Sequence, residues 1–124
     1  VTMFFTFWGL NVIKKRHKPS VEKDIFGKMF GMMLPSSSKA LSLSKMNMGG
    51  IGSKMMRHIM QNKRIDSLES MIQQAIDNGV EMIACTMSMD VMGVKKEELL
   101  ENVGLGGVAT YLERAEGANM NLFI

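Results

Sequence analysis

The stretch from Asp66 to Cys85, DSLESMIQQAIDNGVEMIAC, indicates the fold class because its two halves carry different periodicities. The first half predicts an amphipathic helix, with Asp66 as its N-cap, Glu69 completing a capping box, and Gly79 as its stop. The apolar stripe of that helix repeats at helical spacing: Leu68, Met71, Ile72, Ala75 and Ile76. The apolar run Val80–Ala84 follows directly and predicts a short buried strand that leads into Cys85.

Strand-like runs at the two ends of the chain extend this pattern. Val1–Trp8 is β-branched and aromatic and is apolar on both faces, which is typical of a fully buried parallel strand, and Gly9 ends it. Asn119–Ile124 predicts a last strand. Strands that alternate with helical blocks favour an α/β sandwich with a parallel sheet.

The segments between these strands are predicted as follows. Asn11–Lys18 is a short basic helix or turn, Val21–Met33 and Ile51–Gln61 are helices, and Pro35–Ser38 with Lys39–Gly52 is irregular and mobile. Thr86–Gly93 is a short helix or a turn, whereas Lys95–Val103 and Gly106–Glu116 are helices. In the last helix, four residues are expected to face inward: Val108, Ala109, Leu112 and Ala115.

Size and composition narrow the class of protein. A chain of 124 residues that is 46% hydrophobic and 22% charged suits one globular domain, here residues 1–124. The net charge is only +3, and the basic run Lys14–Lys18 is typical of a solvated helix end, so neither nucleic acid nor an acidic membrane is an expected partner. A single cysteine excludes an intrachain disulfide and favours the cytoplasm, and no apolar stretch is long enough for a membrane helix.

The carboxyl ends of the predicted strands are where chemistry is expected, because ligands bind there in open parallel sheets. One end presents Trp8 and Gly9, and the other presents Cys85 and Thr86. A helix that begins after Cys85 would point its free N–H groups near the sulfur and favour the thiolate, the reactive species in sulfur transfer. The alternative is a small, inert core cysteine.

Other residues that could take part in catalysis or ligand binding are interpreted as structural. His58 is predicted on the surface, Asp90 as a cap or solvated residue, and the glycines of Gly104–Ala109 as a link between two helices rather than a dinucleotide fingerprint. Gly49–Lys54 lacks the spacing of a phosphate loop, and no cysteine–histidine cluster exists for structural zinc, so no metal site or cofactor is expected. The fifteen methionines are interpreted as core and adaptable surface residues, with Cu(I) binding at Met46 and Met48, or at Met87 and Met89, as the alternative.

Around Cys85, the segment Ile83–Gly93, IACTMSMDVMG, resembles the cysteine segment of the DsrE/DsrF-like family, in the branch often labelled in error as peroxiredoxin family proteins. Three further segments are similar to that branch and spread the resemblance over the chain: Thr6–Leu10, Leu43–Gly50 and Gly106–Leu112.

The resemblance implies a three-layer sandwich, with helices on both faces of the parallel sheet, that assembles into homo-oligomers, commonly trimers or hexamers. The family pattern starts with a strand and helix that this chain lacks, which agrees with a chain that opens inside a strand-like run without Met, so we expect an N-terminally incomplete domain. In the family, the residue at Cys85 accepts sulfane sulfur as a persulfide and passes it to a partner such as a TusA-like carrier or a rhodanese.

The first hypothesis is therefore a sulfur carrier in which Cys85 is the catalytic residue. The substrate-binding residues would be Thr86, Met87, Trp8 and Gly9. Trp8 and the Met-rich segment would shield the site from water. A peroxidase cycle would need a resolving thiol from another chain. The alternatives are a non-catalytic oligomeric interaction module with a Met-rich surface, and a Cu(I)-binding protein.

Overall fold

A three-stranded parallel sheet lies at the centre of the computed structural model, which describes residues 1–15 and 50–124. The strands are β1 (Thr2–Phe5), β2 (Glu81–Cys85) and β3 (Val103–Gly106), in that spatial order. Central β2 pairs on both sides, and its last residue, Cys85, lies opposite Gly106. The predicted α/β class with a parallel sheet is confirmed.

Four α-helices and two 3-10 helices accompany the sheet in the described part of the chain. The α-helices are α1 (Ile51–Asn62), α2 (Leu68–Asp77), α3 (Thr86–Met92) and α4 (Val108–Glu116). The 3-10 helices are Phe7–Ile13, directly after β1, and Lys96–Glu98, before β3. The predicted helix Val21–Met33, the loop Pro35–Ser38 and most of Lys39–Gly52 lie outside the described residues.

Helices cover both faces of the sheet. On one face, the core joins sheet residues to the first 3-10 helix, α2 and α3: Phe5, Met82, Ala84, Val103, Leu10, Ile13, Ile72, Met89 and Met92. On the other face, α4 packs on the sheet through Tyr111, whose ring lies 5.5 Å from that of Phe4. No described helix is both long and apolar enough to cross a bilayer.

The first strand is shorter and less buried than its sequence predicts. It ends at Phe5, and Met3 is 44% exposed, so the prediction of a fully buried strand through Trp8 was wrong. Phe7 adopts a positive φ of 41°, and the Gly9 N–H donates to the Thr6 carbonyl at 2.8 Å. These local turn contacts replace the ladder bonds that a longer strand would need.

The prediction of a helix over Lys95–Val103 is also wrong. Only Lys96–Glu98 is helical, and Val103 begins β3. The Leu100 N–H donates to the Ile13 carbonyl at 2.9 Å, and the Lys15 N–H donates to the Glu98 carbonyl at 2.8 Å. Backbone groups bonded to a distant segment are not free to continue a helix.

Other sequence predictions about these elements need correction. Ser67, not Asp66, caps α2, because the Ser67 hydroxyl accepts from the Ser70 N–H at 3.2 Å. Lys14 is buried rather than solvated. Residues 119–124 form no strand. No residue of α4 is buried, although its apolar stripe was expected to face inward. The Gly79 stop is confirmed by a φ of 79°.

Candidate functional site

Cys85 lies at the junction between the central strand and a helix. It is the last residue of β2 and also the N-cap of α3, so no loop separates strand from helix. Its backbone is extended, with φ −70° and ψ 116°, and its side chain makes no capping hydrogen bond. The thiol is free and only 3% exposed. The predicted position at the carboxyl end of a buried strand is thus observed.

Thr86 and Met87 open α3 and face outward. The Thr86 hydroxyl is 3.4 Å from the Gly106 carbonyl oxygen, to which it donates, and this bond links α3 to the end of β3. The Met87 side chain is 57% exposed. These are the two residues that follow Cys85 in the chain, but their side chains lie on the exposed side of α3 whereas the cysteine is buried.

Trp8 and Gly9 reach the same edge of the sheet from β1. Because Phe5 lies opposite Ala84, the chain that follows Phe5 continues at the level of Cys85. There it forms the first 3-10 helix, which contacts α3. The Trp8 side chain is 57% exposed, and its carbonyl accepts from the Asn11 side-chain amide at 2.9 Å. The structure therefore places the Trp8 segment beside α3, with the indole directed largely to solvent.

Gly106 and Gly107, which sequence reasoning dismissed as a link between helices, belong to this edge. β3 leads into them and α4 follows, so the premise that a helix precedes them was wrong. A Cβ at Gly106 would lie 2.9 Å from Ile83 Cγ2 and 3.1 Å from Thr110 Cβ. The absence of a side chain at Gly106 therefore leaves room for Ile83 and Thr110. This packing explains the glycine without a bound dinucleotide.

Two buried polar residues near this edge were not singled out from the sequence. Ser88, in α3, and Asn11, in the first 3-10 helix, are both fully buried. Ser88 Oγ and Asn11 Oδ1 have no hydrogen-bond partner among the described residues. Burial of such atoms without partners is rare and calls for an explanation. The sequence offered no signal, because a serine or asparagine in these positions is as readily exposed.

The charged groups of the described residues do not gather at Cys85. No group of three or more His, Cys, Asp or Glu side chains in the described ranges could hold a metal ion. His58 is exposed, as predicted, and so is Asp90. The hydrogen bond from Arg114, followed by the one from the Thr2 hydroxyl, lowers the pKa of Glu81. Glu81, however, is the first residue of β2 and lies at the end of the strand opposite Cys85.

The methionines do not form a copper site on α3. Met87 is 57% exposed whereas Met89 is 5% exposed, and residues two apart on a helix do not face each other. Met46 and Met48, the other predicted pair, lie outside the described residues. The site that remains is chemically simple: one buried thiol and the first N–H groups of α3.

The family of the chain follows from comparison with known proteins. The model of the DsrE/DsrF/DrsH-like family matches residues 1–123. The protein YrkE of Bacillus subtilis (strain 168) is 43% identical over 124 residues, which cover 100% of this chain and 78% of YrkE. The sulfur carrier protein DsrE2 of Allochromatium vinosum is 33% identical over 128 residues, which cover 100% of this chain and 79% of that protein. The chain belongs to the DsrE/DsrF/DrsH-like family.

Proposed function

We propose that this protein is a sulfur carrier that holds sulfane sulfur as a persulfide on Cys85. The observation that carries the proposal is the position of Cys85, which is the last residue of the central strand and the N-cap of α3. The relationship to a protein named as a sulfur carrier supports the same class of function. A thiolate is the nucleophile that sulfur transfer requires, and one cysteine is enough for a relay.

The proposed reaction moves one sulfur atom without net oxidation. In loading, the Cys85 thiolate attacks the outer sulfur of a donor persulfide, the donor S–S bond breaks, and the donor leaves as a thiolate. The new Cys85 S–S bond keeps the transferred sulfur and its proton. In unloading, the thiolate of an acceptor attacks that outer sulfur, and Cys85 leaves as a thiolate.

The burial of Cys85 sets a condition on this chemistry. With 3% of the residue exposed, a donor reaches the sulfur only after neighbouring groups move. The first 3-10 helix and α3 adjoin this end of β2, and Trp8 and Met87 on them are more than half exposed. These side chains are the movable groups that we propose as the substrate-binding residues, with Gly9 and Thr86.

The proposed partners are sulfur donors and acceptors. A small TusA-like carrier or a rhodanese would exchange sulfur with Cys85 in the cytoplasm. We further propose a homo-oligomer, because apolar side chains of α1 and α4 are exposed in the single chain, Met55 and Leu112 by 58% each. Large exposed apolar surfaces are typical of interaction sites.

The test of the proposed function is the intact mass of the reduced protein after incubation with thiosulfate, polysulfide or glutathione persulfide. We expect a gain of about 32 Da, one sulfur atom, that reduction reverses. The matched control is Cys85→Ser, which should gain no mass while keeping its fold. Wild-type protein that gains no sulfur from any of these donors would contradict the proposal.

A second candidate is a non-catalytic interaction module, which the exposed methionines of α1 favour. Met55 is 58% and Met56 is 46% exposed, and methionine adapts to irregular partner surfaces. The Cys85→Ser variant separates the two functions. An interaction module keeps its oligomer and its partners in this variant, whereas a sulfur carrier loses its cargo.

A further inference from the structure

An exposed apolar strip runs along α1. Ile51, Met55 and Ile59 follow one another at intervals of four residues, so their side chains lie along one side of the helix. They are 65%, 58% and 40% exposed, and Met56, next to Ile59 on the helix surface, is 46% exposed. These four residues are called the α1 strip below. Contiguous exposed apolar surface of this kind marks an interaction site.

The ion pair between Arg57 and Glu69 shows which way the α1 strip faces. Arg57 Nη1 lies 3.6 Å from Glu69 Oε2, so this side of α1 is turned toward α2. Successive residues of a helix are rotated by about 100°, which places Met55 and Ile59 about 160° away from Arg57 around the helix axis. The strip therefore lies on the side of α1 that is turned away from α2.

Basic side chains accompany the α1 strip. Lys54 lies on α1, and Lys63 and Arg64 directly follow the helix. All three are exposed, and none of them makes an ion pair with another described residue. The sequence from residue 51 to residue 65 contains no Asp or Glu. The exposed apolar side chains therefore lie in a region of positive charge.

The charge of the whole chain is divided in the same way. All twelve acidic residues lie outside residues 25–65, whereas seven of the fifteen basic residues lie inside this range. The range thus carries a formal charge of +7 and the rest of the chain −4, which together give the net charge of +3. Such an asymmetry indicates an anionic partner. The basic run Lys14–Lys18, from which no acidic membrane was expected, lies outside this range.

An anionic lipid surface matches both properties of α1. A helix with apolar side chains on one side and lysine and arginine beside them lies in the plane of a bilayer interface, where the apolar residues reach the acyl chains and the basic residues meet the headgroups. Flexible methionines suit the irregular packing of lipid chains. A nucleic acid would neutralise the charges but would leave the α1 strip in water.

We propose that α1 is a docking element for the surface of an anionic lipid bilayer. The α1 strip inserts to the level of the acyl chains, while Lys54, Lys63 and Arg64 contact the lipid phosphates. With 12 residues, the helix lies on the bilayer and does not cross it. This docking goes beyond the proposed sulfur-carrier function, and it brings the protein to a membrane surface whether or not Cys85 carries sulfur.

The test is cosedimentation of the full chain with lipid vesicles. Phosphatidylcholine vesicles that contain about 30% phosphatidylserine should bind the protein, and pure phosphatidylcholine vesicles should bind it at least about ten-fold more weakly. Met55→Glu should weaken binding to the anionic vesicles more than about ten-fold, because a carboxylate replaces an apolar anchor. Lys63→Gln should weaken it about five-fold, and this effect should shrink at high salt.

Matched substitutions elsewhere test whether these effects belong to α1. Met71→Glu changes an exposed methionine of α2, Lys96→Gln changes an exposed lysine before β3, and both should bind vesicles like wild type. Cys85→Ser should also bind like wild type, so that a failure of sulfur loading and a failure of docking are distinguished.

Wild-type protein that stays in the supernatant with anionic vesicles would overturn the proposal, and so would binding that Met55→Glu leaves intact. If wild type ignores vesicles and Met55→Glu lowers the mass of the free protein in light scattering, the α1 strip is an interface between copies of this chain and not a lipid-docking surface.

Discussion

At the scale of single residues, the geometry around Cys85 depends on a close approach by the neighbouring strand. Gly106 pairs with Cys85, and the space that its side chain would occupy is taken by Ile83 and Thr110. Thr86 adds a hydrogen bond to the Gly106 carbonyl. The position of the thiol therefore depends on a glycine of the neighbouring strand as well as on its own strand.

Gly106→Ala should destabilise the protein by about 1–3 kcal/mol, because the new methyl group would lie 2.9 Å from Ile83 Cγ2 and a packed interior resists such insertion. The measurement is denaturant unfolding, followed by the sulfur-loading assay on the folded fraction. Gly104→Ala is the matched control, since its Cβ meets only the Met82 carbonyl oxygen at an ordinary 3.6 Å. Equal losses of stability in the two variants would contradict the packing argument.

At the scale of elements, an ion pair ties three pieces of secondary structure together at the amino end of β2. Arg114 of α4 binds Glu81 with two bonds, Nε to Oε2 at 2.8 Å and Nη2 to Oε1 at 3.1 Å. Thr2 of β1 donates to the same carboxylate at 3.0 Å. The carboxylate thus joins β1, β2 and α4 at the end of β2 opposite Cys85.

This arrangement predicts a pH dependence of stability. Hydrogen bonding by Arg114 and then Thr2 lowers the pKa of Glu81 from its ordinary value of 4.5, so the folded state prefers the ionised carboxylate. The stabilisation is therefore present above that value and is lost as pH falls through the lower, folded pKa. Glu81→Gln should lower the thermal midpoint at neutral pH, and the difference from wild type should vanish in acid.

Glu113→Gln is the control for the ion pair, because it removes the same charge. Glu113 contacts its neighbour Arg114 at 3.1 Å and is 72% exposed, but it joins no two elements. We expect its thermal midpoint to stay close to that of wild type at every pH. A deficit of Glu81→Gln that persisted unchanged into acid would show that the carboxylate charge is not what stabilises the fold.

At the scale of the whole molecule, the chain leaves large apolar side chains uncovered. The apolar side of α4 is exposed at Val108 (56%) and Leu112 (58%), and the last residues of the chain are more exposed still, Phe123 by 90%. Exposed apolar surface of this kind is costly for a free monomer in water. Self-association of the chain would bury it.

We expect light scattering to give a mass that is a multiple of 13.8 kDa, as for a trimer or hexamer. Leu112→Glu should shift the population toward monomer, because a carboxylate is costly to bury in an apolar interface. Gln61→Glu, at an exposed polar position of α1, adds the same charge and should leave the mass unchanged. A monomeric wild type would contradict the proposed homo-oligomer.

Local patterns were sufficient wherever neighbours in sequence decide the structure. The sequence alone determined α2, its stop at Gly79, and the buried strand that ends at Cys85, since helical periodicity, a left-handed glycine and an apolar run act over a few residues. The candidate site followed from the same patterns, because a strand that ends at a cysteine can be identified from its own residues.

The tertiary structure decided what depends on distant partners. The segment before β3 carries helical spacing, yet its backbone bonds to residues near Ile13. The apolar stripe of α4 is helical as predicted but unburied, because burial depends on which surfaces meet and not on periodicity. The same reason explains Ser88: a serine after an apolar strand is ordinary in sequence, and only the fold around α3 buries its hydroxyl without a partner among the described residues.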